Sequence, residues 1–139
     1  MLQRKQKPNG WIEPMPTKQF RRIEKSFKLK GGLFLMGTEV DKMLDMQEAE
    51  ASTFNETTVL FRKNPSRSAV FEELIHTAQY RDGKCDGSRE SRLINEIEAK
   101  EKLIKYSQAY KLTDVEITNT KKMLEACREE LEKLRKERI

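Results

Sequence analysis

The spacing of apolar positions changes along the chain, and each spacing predicts one kind of element. Residues 17–28 carry apolar side chains at helical intervals among basic ones, and two glycines then end the segment. Residues 33–36 form a brief apolar run bounded by glycines, which suits a short buried strand. A second helix is expected to start near Thr38. Residues 57–63, which are rich in β-branched and aromatic side chains, are the clearest strand.

The second half of the chain is predicted to be mainly helical. After a turn at residues 64–66, the apolar positions of residues 68–80 fall on one stripe of a helix, and we expect burial on that side. Residues 81–88 contain glycines among polar residues and predict a loop. A long helix is expected over residues 88–111.

A final helix is predicted to begin after Thr113, because Thr113 and Glu116 have the spacing of a capping box. Along this helix, six residues at alternating steps of three and four fall on one side. They predict a seam that packs against another helix. The seam consists of Ile117, Thr120, Leu124, Cys127, Leu131 and Leu134. Packing against the preceding helix would give a hairpin within a monomer, whereas a dimeric coiled coil would use the same seam. We predict an α+β fold that is mostly helical, with a small sheet and a C-terminal antiparallel helical hairpin.

Composition and charge divide the chain into an arm and one domain. With 139 residues, of which 36% are hydrophobic, one modest core is expected. Residues 1–16 contain prolines and an Asn-Gly pair, so they predict an irregular basic arm before a single domain over residues 17–139. Much of the net charge of +5 lies in the first thirty residues. The arm could contact nucleic acid or an acidic partner, although a solvated basic tail is the simpler interpretation.

Cysteine usage and hydropathy indicate a cytoplasmic protein. Cys85 and Cys127 are far apart and form no CxxC pair, so free thiols in a reducing compartment are expected. No apolar run approaches the roughly 20 residues that span a bilayer, so no membrane partner is expected. A larger parent polypeptide could still deliver the chain elsewhere.

The candidate chemistry lies on the helix predicted over residues 68–80. Glu72 and His76 are four positions apart and project from one face, so they could share a metal ion. Glu73 lies about 60° around the helix from His76, close enough to act on a water at that metal, and Gln79 falls on the same polar side. The alternative is that these are surface groups or salt-bridge partners.

The segment Glu72-Glu73-Leu74-Ile75-His76 resembles the HExxH helix of zincin metallopeptidases, with glutamate in place of the first histidine. His76 is the only histidine, so a site with two histidines is impossible. The resemblance implies that Glu72 and His76 hold a metal, most simply zinc, and that Glu73 is the general base. A set of two glutamates and one histidine is more anionic than the usual set, which leaves the identity of the metal open.

A third ligand is implied by a stretch that resembles the Glu-x-Glu-Ala sequence of many zincins. In Asn95-Glu96-Ile97-Glu98-Ala99, Glu96 is the matching position. Glu98 lies on another side of the helix and would need a rotated packing to replace it. The alternative for both glutamates is ion pairing with Lys100 and Lys102 along a solvated face. The strand at 57–63 also resembles the zincin edge strand that pairs with extended substrate.

A longer stretch resembles the small zincin-like metallopeptidase domains of bacterial polymorphic toxins and phage head-morphogenesis proteins. The stretch spans about residues 58–134 and includes VLFRKNPSRSAVFEELIHTAQYRDGK and INEIEAKEKLIKYSQAYKLT. It implies a zinc peptidase that acts on a polypeptide, as part of a phage or toxin polypeptide. Two alternatives stay open: an inactive zincin-fold protein of a phage or mobile element that binds a protein partner, and a nucleic-acid-binding protein that uses its basic arm.

Overall fold

The computed structural model describes residues 12–138, which form five helices and three strands. The helices are α1 (Thr17–Leu29), α2 (Thr38–Gln47), α3 (Arg67–Arg81), α4 (Arg89–Lys105) and α5 (Asp114–Lys136). The strands are β1 (Leu33–Leu35), β2 (Ala51–Asn55) and β3 (Thr58–Phe61). These elements confirm the predicted α+β fold with mostly helical content. Within residues 12–138, no helix combines the length and the apolar character needed to cross a membrane.

The end of the predicted arm packs against the domain. Pro14 forms an antiparallel bridge with Ser66, and the Met15 amide donates a hydrogen bond of 2.8 Å to the Pro65 carbonyl oxygen. Met15 itself is buried in the core. The basic part of the arm, residues 1–11, lies outside the described residues, as does the possible contact of that arm with nucleic acid.

The three strands form a mixed sheet in the order β1-β3-β2. β3 pairs in parallel with β1 and antiparallel with β2, so it is the central strand. The expectation that this segment is the substrate-pairing edge strand is therefore wrong. The edge of the sheet beside α3 is β2, a strand that was not predicted from the sequence. β1 is the other edge, and only Phe34 of its three residues is buried.

Apolar clusters lie on both faces of the sheet. Phe34, Val59 and Phe61 face one cluster, where the rings of Phe34 and Phe61 meet edge to face with centroids 4.9 Å apart. The α1 helix covers this cluster, and Val70 of α3 joins it. On the opposite face, Leu60 packs with the buried apolar residues of α2. The sheet thus anchors the N-terminal end of α3.

The helices α4 and α5 form the predicted antiparallel hairpin. Glu90 at the start of α4 pairs with Arg135 at the end of α5 and with Arg138 just beyond it, while Glu101 pairs with Arg128 farther along. The seam faces inward: Thr120, Leu124 and Leu131 are buried, and the other three members are half-buried. The hairpin within one chain therefore uses the seam that a dimeric coiled coil would have needed.

The helix α4 ends at Lys105, six residues before the predicted end at residue 111. A turn follows, in which Lys111 adopts a positive φ of 56°. This turn places the Tyr110 ring on the Phe71 ring of α3, stacked with centroids 4.2 Å apart. If α4 continued as a helix beyond Lys105, the contact between Tyr110 and Phe71 would be lost. Tertiary packing therefore determines where α4 ends.

The start of α3 is joined to the start of α5 through one carboxylate. Ser66 is the N-cap of α3, since its hydroxyl oxygen accepts a hydrogen bond from the Ala69 amide. The Ser68 amide instead donates to Glu116 Oε2 at 2.7 Å. Glu116 also completes the predicted capping box with Thr113 and is only 1% exposed. One buried side chain thus satisfies amides of two helix N-termini.

Candidate metal centre

The polar side of α3 is buried as well as its apolar stripe. The sheet covers one side of the helix and the hairpin covers another, so Glu73, Thr77 and Gln79 are all less than 10% exposed. A cleft of about 1330 Å³ remains between β2, α3 and the hairpin, and we call it the site cleft. Glu72, Glu73, His76 and Glu96 line it. Buried titratable groups that line a cleft are candidates for a functional site.

The structure places the predicted ligands Glu72 and Glu96 beside the third, His76. His76 Nε2 lies 3.8 Å from Glu72 Oε2 and 3.4 Å from Glu96 Oε1. The group whose ligating atoms all lie within 4.8 Å of one another is Glu72, Glu73 and His76, so it contains the predicted base Glu73 and not Glu96. The i, i+4 spacing on α3 places two of these groups on one face, and the return of the chain through α4 supplies Glu96.

The atom His76 Nε2 is buried and has no hydrogen-bond partner among the described residues. In the protonated ring Nε2 forms ion pairs with the Glu72 and Glu96 carboxylates, so this nitrogen is unpaired only when the ring is neutral. A divalent cation between the imidazole and the two carboxylates would satisfy this nitrogen, and three protein ligands would leave a position for water. The donor types present, one imidazole and several carboxylates, are ones that zinc accepts.

The charges around His76 are strongly coupled. Burial opposes its charged form, but the carboxylates of Glu72 and Glu96 outweigh burial and raise the pKa of His76 to about 11. Burial would likewise raise the pKa of Glu96, yet His76 and Lys100 lower that pKa to about 2. A metal cation bound to His76 Nε2 would replace the proton on that nitrogen, which the Glu72 and Glu96 carboxylates stabilise.

Glu73, the predicted general base, points toward the sheet side of the cleft. The Thr53 hydroxyl of β2 lies 2.9 Å from Glu73 Oε1, within hydrogen-bond distance. Burial is the main reason that the pKa of Glu73 is raised to about 7, and the Glu72 carboxylate adds to the rise. Because β2 was not predicted, the contact with Thr53 was missed. The β-branched and aromatic pair Thr53-Phe54 before the turn at Asn55 is the sequence signal that could have found it.

Lys100 was predicted only as an ion-pair partner on a solvated helix face, and its position in the structure is different. Its ion pair with Glu96 has the predicted i, i+4 spacing, but the lysine is only 3% exposed and does not lie on a solvated face. Lys100 Nζ also lies 3.5 Å from Glu72 Oε2. Burial would lower the pKa of Lys100, but these two carboxylates raise it. The ammonium therefore pairs with both carboxylates that were predicted to be metal ligands.

Glu98 faces away from His76. Glu98 Oε1 accepts a hydrogen bond of 2.9 Å from Gln79 Nε2, and its carboxylate pairs with Lys84 and Lys102. Of the two glutamates considered for the third ligand, only Glu96 lies beside His76. Comparisons with protein-family models, curated proteins and solved structures found no match for the chain.

Proposed function

We propose that this protein is a metal-dependent peptidase of the zincin-like type, in which Glu72, His76 and Glu96 hold a divalent ion, most simply zinc. The observation that carries the proposal is His76 Nε2, a buried nitrogen with no hydrogen-bond partner among residues 12–138, which lies 3.8 Å from Glu72 Oε2 and 3.4 Å from Glu96 Oε1. Metal ligands on two elements joined by one loop are a common way to build such a site. The resemblance to toxin and phage head-morphogenesis peptidases supports the same interpretation.

Glu73 would act as the general base. A bound zinc ion supplies Lewis acidity, which makes water a stronger acid and polarises a peptide carbonyl. Glu73 would accept the water proton, and the hydroxyl would add to the carbonyl carbon while the π electron pair of the C=O bond moves to the carbonyl oxygen. Glu73 would then return the proton to the leaving amine as the C=O bond re-forms and the C–N bond breaks. A base works best with a pKa near the operating pH, and the pKa of Glu73 is about 7.

The position of β2 supports a polypeptide substrate. Within the described sheet β2 pairs with β3 along one side only. Ala51, Ser52 and Thr53 line the site cleft, and Thr53 contacts the proposed base. An extended chain could add to this edge through main-chain hydrogen bonds, which would place a peptide group beside Glu73.

Metal analysis tests the proposal directly. The full chain is purified without chelator and its metal content is measured by mass spectrometry, with His76→Ala as the matched control. We expect about one zinc ion per chain in the wild type, none in the variant, and cleavage of an unfolded protein substrate that stops when the metal is removed. Wild-type protein that takes up no divalent metal even when zinc is added would refute the proposal.

A second candidate function is a metal-free protein-binding module with the same fold, encoded by a phage or mobile element. The observation that favours it is Lys100, whose ammonium already pairs with Glu72 and Glu96. A module of this kind would bind a protein partner in the site cleft without turnover. Its signature is wild-type protein that carries no metal and gains no thermal stability from added zinc, because a ligand that does not bind cannot shift unfolding.

A further inference from the structure

Both polar atoms of the Gln79 side chain have hydrogen-bond partners beside His76. Gln79 is 2% exposed, and its Oε1 atom lies 2.7 Å from His76 Nδ1. Its Nε2 atom donates to the Asn95 carbonyl oxygen and to Glu98 Oε1, both at 2.9 Å. The side chain therefore connects α3 to α4 behind the imidazole ring, on the side away from the candidate ligands.

These partners determine which way the Gln79 amide points. A carbonyl oxygen and a carboxylate oxygen can only accept hydrogen bonds, so the NH₂ group of Gln79 must face Asn95 and Glu98. Its oxygen then faces His76 and can only accept. His76 Nδ1 must therefore carry a proton, and in the neutral ring Nε2 is left with its lone pair toward Glu72 and Glu96.

The amide is itself held in place from α4 and the loop before it. Lys84 Nζ lies 3.1 Å from Glu98 Oε2, and the Asn95 side chain donates to the Lys84 carbonyl oxygen at 3.1 Å. Asn95 and Glu98, which accept hydrogen bonds from the NH₂ group of Gln79, are therefore each fixed by a further contact. A rotation of that amide would break two hydrogen bonds and place its NH₂ group against Nδ1–H.

We propose that Gln79 is a positioning residue, which fixes the ring of His76 so that Nε2 is the atom offered to the metal, with Glu98 holding Gln79 in turn. This inference deepens the proposed metal site and depends on it. Partners of this kind orient metal-bound histidines, and their loss commonly weakens metal binding about 10–100-fold. It also gives Glu98 a role other than that of a ligand.

Two substitutions at one position separate positioning from simple packing. Gln79→Met keeps the length of the side chain but offers Nδ1–H only a weakly accepting thioether in place of the amide oxygen. Gln79→Glu keeps an acceptor for Nδ1–H, while it loses the bond to Asn95 and places a second carboxylate beside Glu98. Both variants should lower the free energy of unfolding, but only Gln79→Met should weaken metal binding. Lys102→Gln is the control, because Lys102 contacts Glu98 from its exposed side at 3.9 Å.

The experiment measures zinc affinity by chelator competition, together with nitrogen-15 NMR of the imidazole. His76 is the only histidine, so every ring signal reports this residue. We expect Gln79→Met to bind zinc about 10–100-fold more weakly and its Nδ1–H to exchange quickly with water. Gln79→Glu and Lys102→Gln should keep near wild-type affinity and a protected Nδ1–H.

Each other outcome has a separate meaning. If the wild type binds zinc and Gln79→Met binds it equally well, the positioning inference is overturned while the metal site stands. If Gln79→Glu loses as much affinity as Gln79→Met, Gln79 acts only through packing, and the inference is again overturned. If the wild type binds no zinc, the proposed function itself is refuted, and the inference with it.

Discussion

The Thr53 hydroxyl lies 2.9 Å from Glu73 Oε1 and 3.0 Å from the Glu73 carbonyl oxygen, which joins the edge strand β2 to the helix α3. The proposed base is thus held between a strand and its own helix. A side chain fixed in this way can receive a proton without reorganising, which is the condition for an efficient general base.

Glu73→Gln should abolish peptide cleavage while leaving the metal bound. Gln has nearly the same shape and can still accept a hydrogen bond from Thr53, but it cannot accept the water proton. The loss of a positioned base commonly lowers the rate about 10²–10⁴-fold. The measurement is kcat on a peptide substrate, paired with metal content. His76→Ala is the contrasting variant and should lose metal and activity together. Wild-type rates in Glu73→Gln would rule Glu73 out as the base.

The stability of the metal-free protein should depend on pH through Glu73. Its pKa is 4.5 in the unfolded chain and about 7 when folded, because burial disfavours the charged carboxylate. The folded state therefore binds this proton more tightly than the unfolded chain does. The contribution of the proton to the free energy of unfolding is complete below pH 4.5 and is lost as pH rises through 7. The expected loss is about 3 kcal/mol.

The check is urea unfolding of wild type and Glu73→Gln from pH 4 to 9 in chelator. Gln has no proton to lose, so the difference between the two proteins should change across this window, with the variant gaining relative stability at high pH. A difference that stays constant with pH would show that Glu73 does not carry the shift.

Lys100→Met should increase metal affinity and decrease the stability of the metal-free protein. The substitution removes a buried ammonium that competes for Glu72 and Glu96, and it leaves these two carboxylates without their cation. Breaking a buried ion pair typically costs about 3–5 kcal/mol. Calorimetric zinc titration and thermal unfolding with and without zinc measure both effects.

Arg128→Met is the matched control for Lys100→Met, because it removes a hairpin ion pair with Glu101 in which both side chains are about half-exposed. An exposed pair contributes at most about 1 kcal/mol, and this one lies outside the site. If Lys100→Met binds zinc more weakly than the wild type, the lysine supports the metal site and does not compete with it.

Leu124→Ala should destabilise the hairpin far more than Met123→Ala. Leu124 is 5% exposed in the seam, whereas the neighbouring Met123 is 56% exposed. Deletion of a buried leucine side chain commonly costs about 2–5 kcal/mol. Thermal or urea unfolding of the two variants measures the difference. Equal losses would mean that the seam is not packed as described.

The features predicted from the sequence are those set by local spacing. The capping box of Thr113 and Glu116 is present as predicted, because both partners lie within one helical turn. The meeting of Glu72 with His76 follows from the same i, i+4 geometry. Glu96 was assigned by resemblance, and it lies beside His76 because α4 runs back along α3.

The features that were missed depend on contacts between distant segments. β2 contains a bulge between Thr53 and Asn55, which interrupts the alternation that marks a strand. The burial of Lys100 and Gln79 could not be predicted either, because each is polar and is covered only when α3 and the hairpin come together. Polar residues of this kind are expected at the surface when only the sequence pattern is known.

The carboxylate of Glu116 has a consequence for how the protein opens. It accepts hydrogen bonds from the amides of Ser68 and Thr113, and Ser68 lies 48 positions before it in the chain. If α5 frays at its start, α3 loses an N-terminal partner at the same moment, so the two helices should open as one cooperative unit. Hydrogen exchange at the Ser68 amide would then be as slow as exchange in the hairpin, although Ser68 lies in the first turn of its own helix.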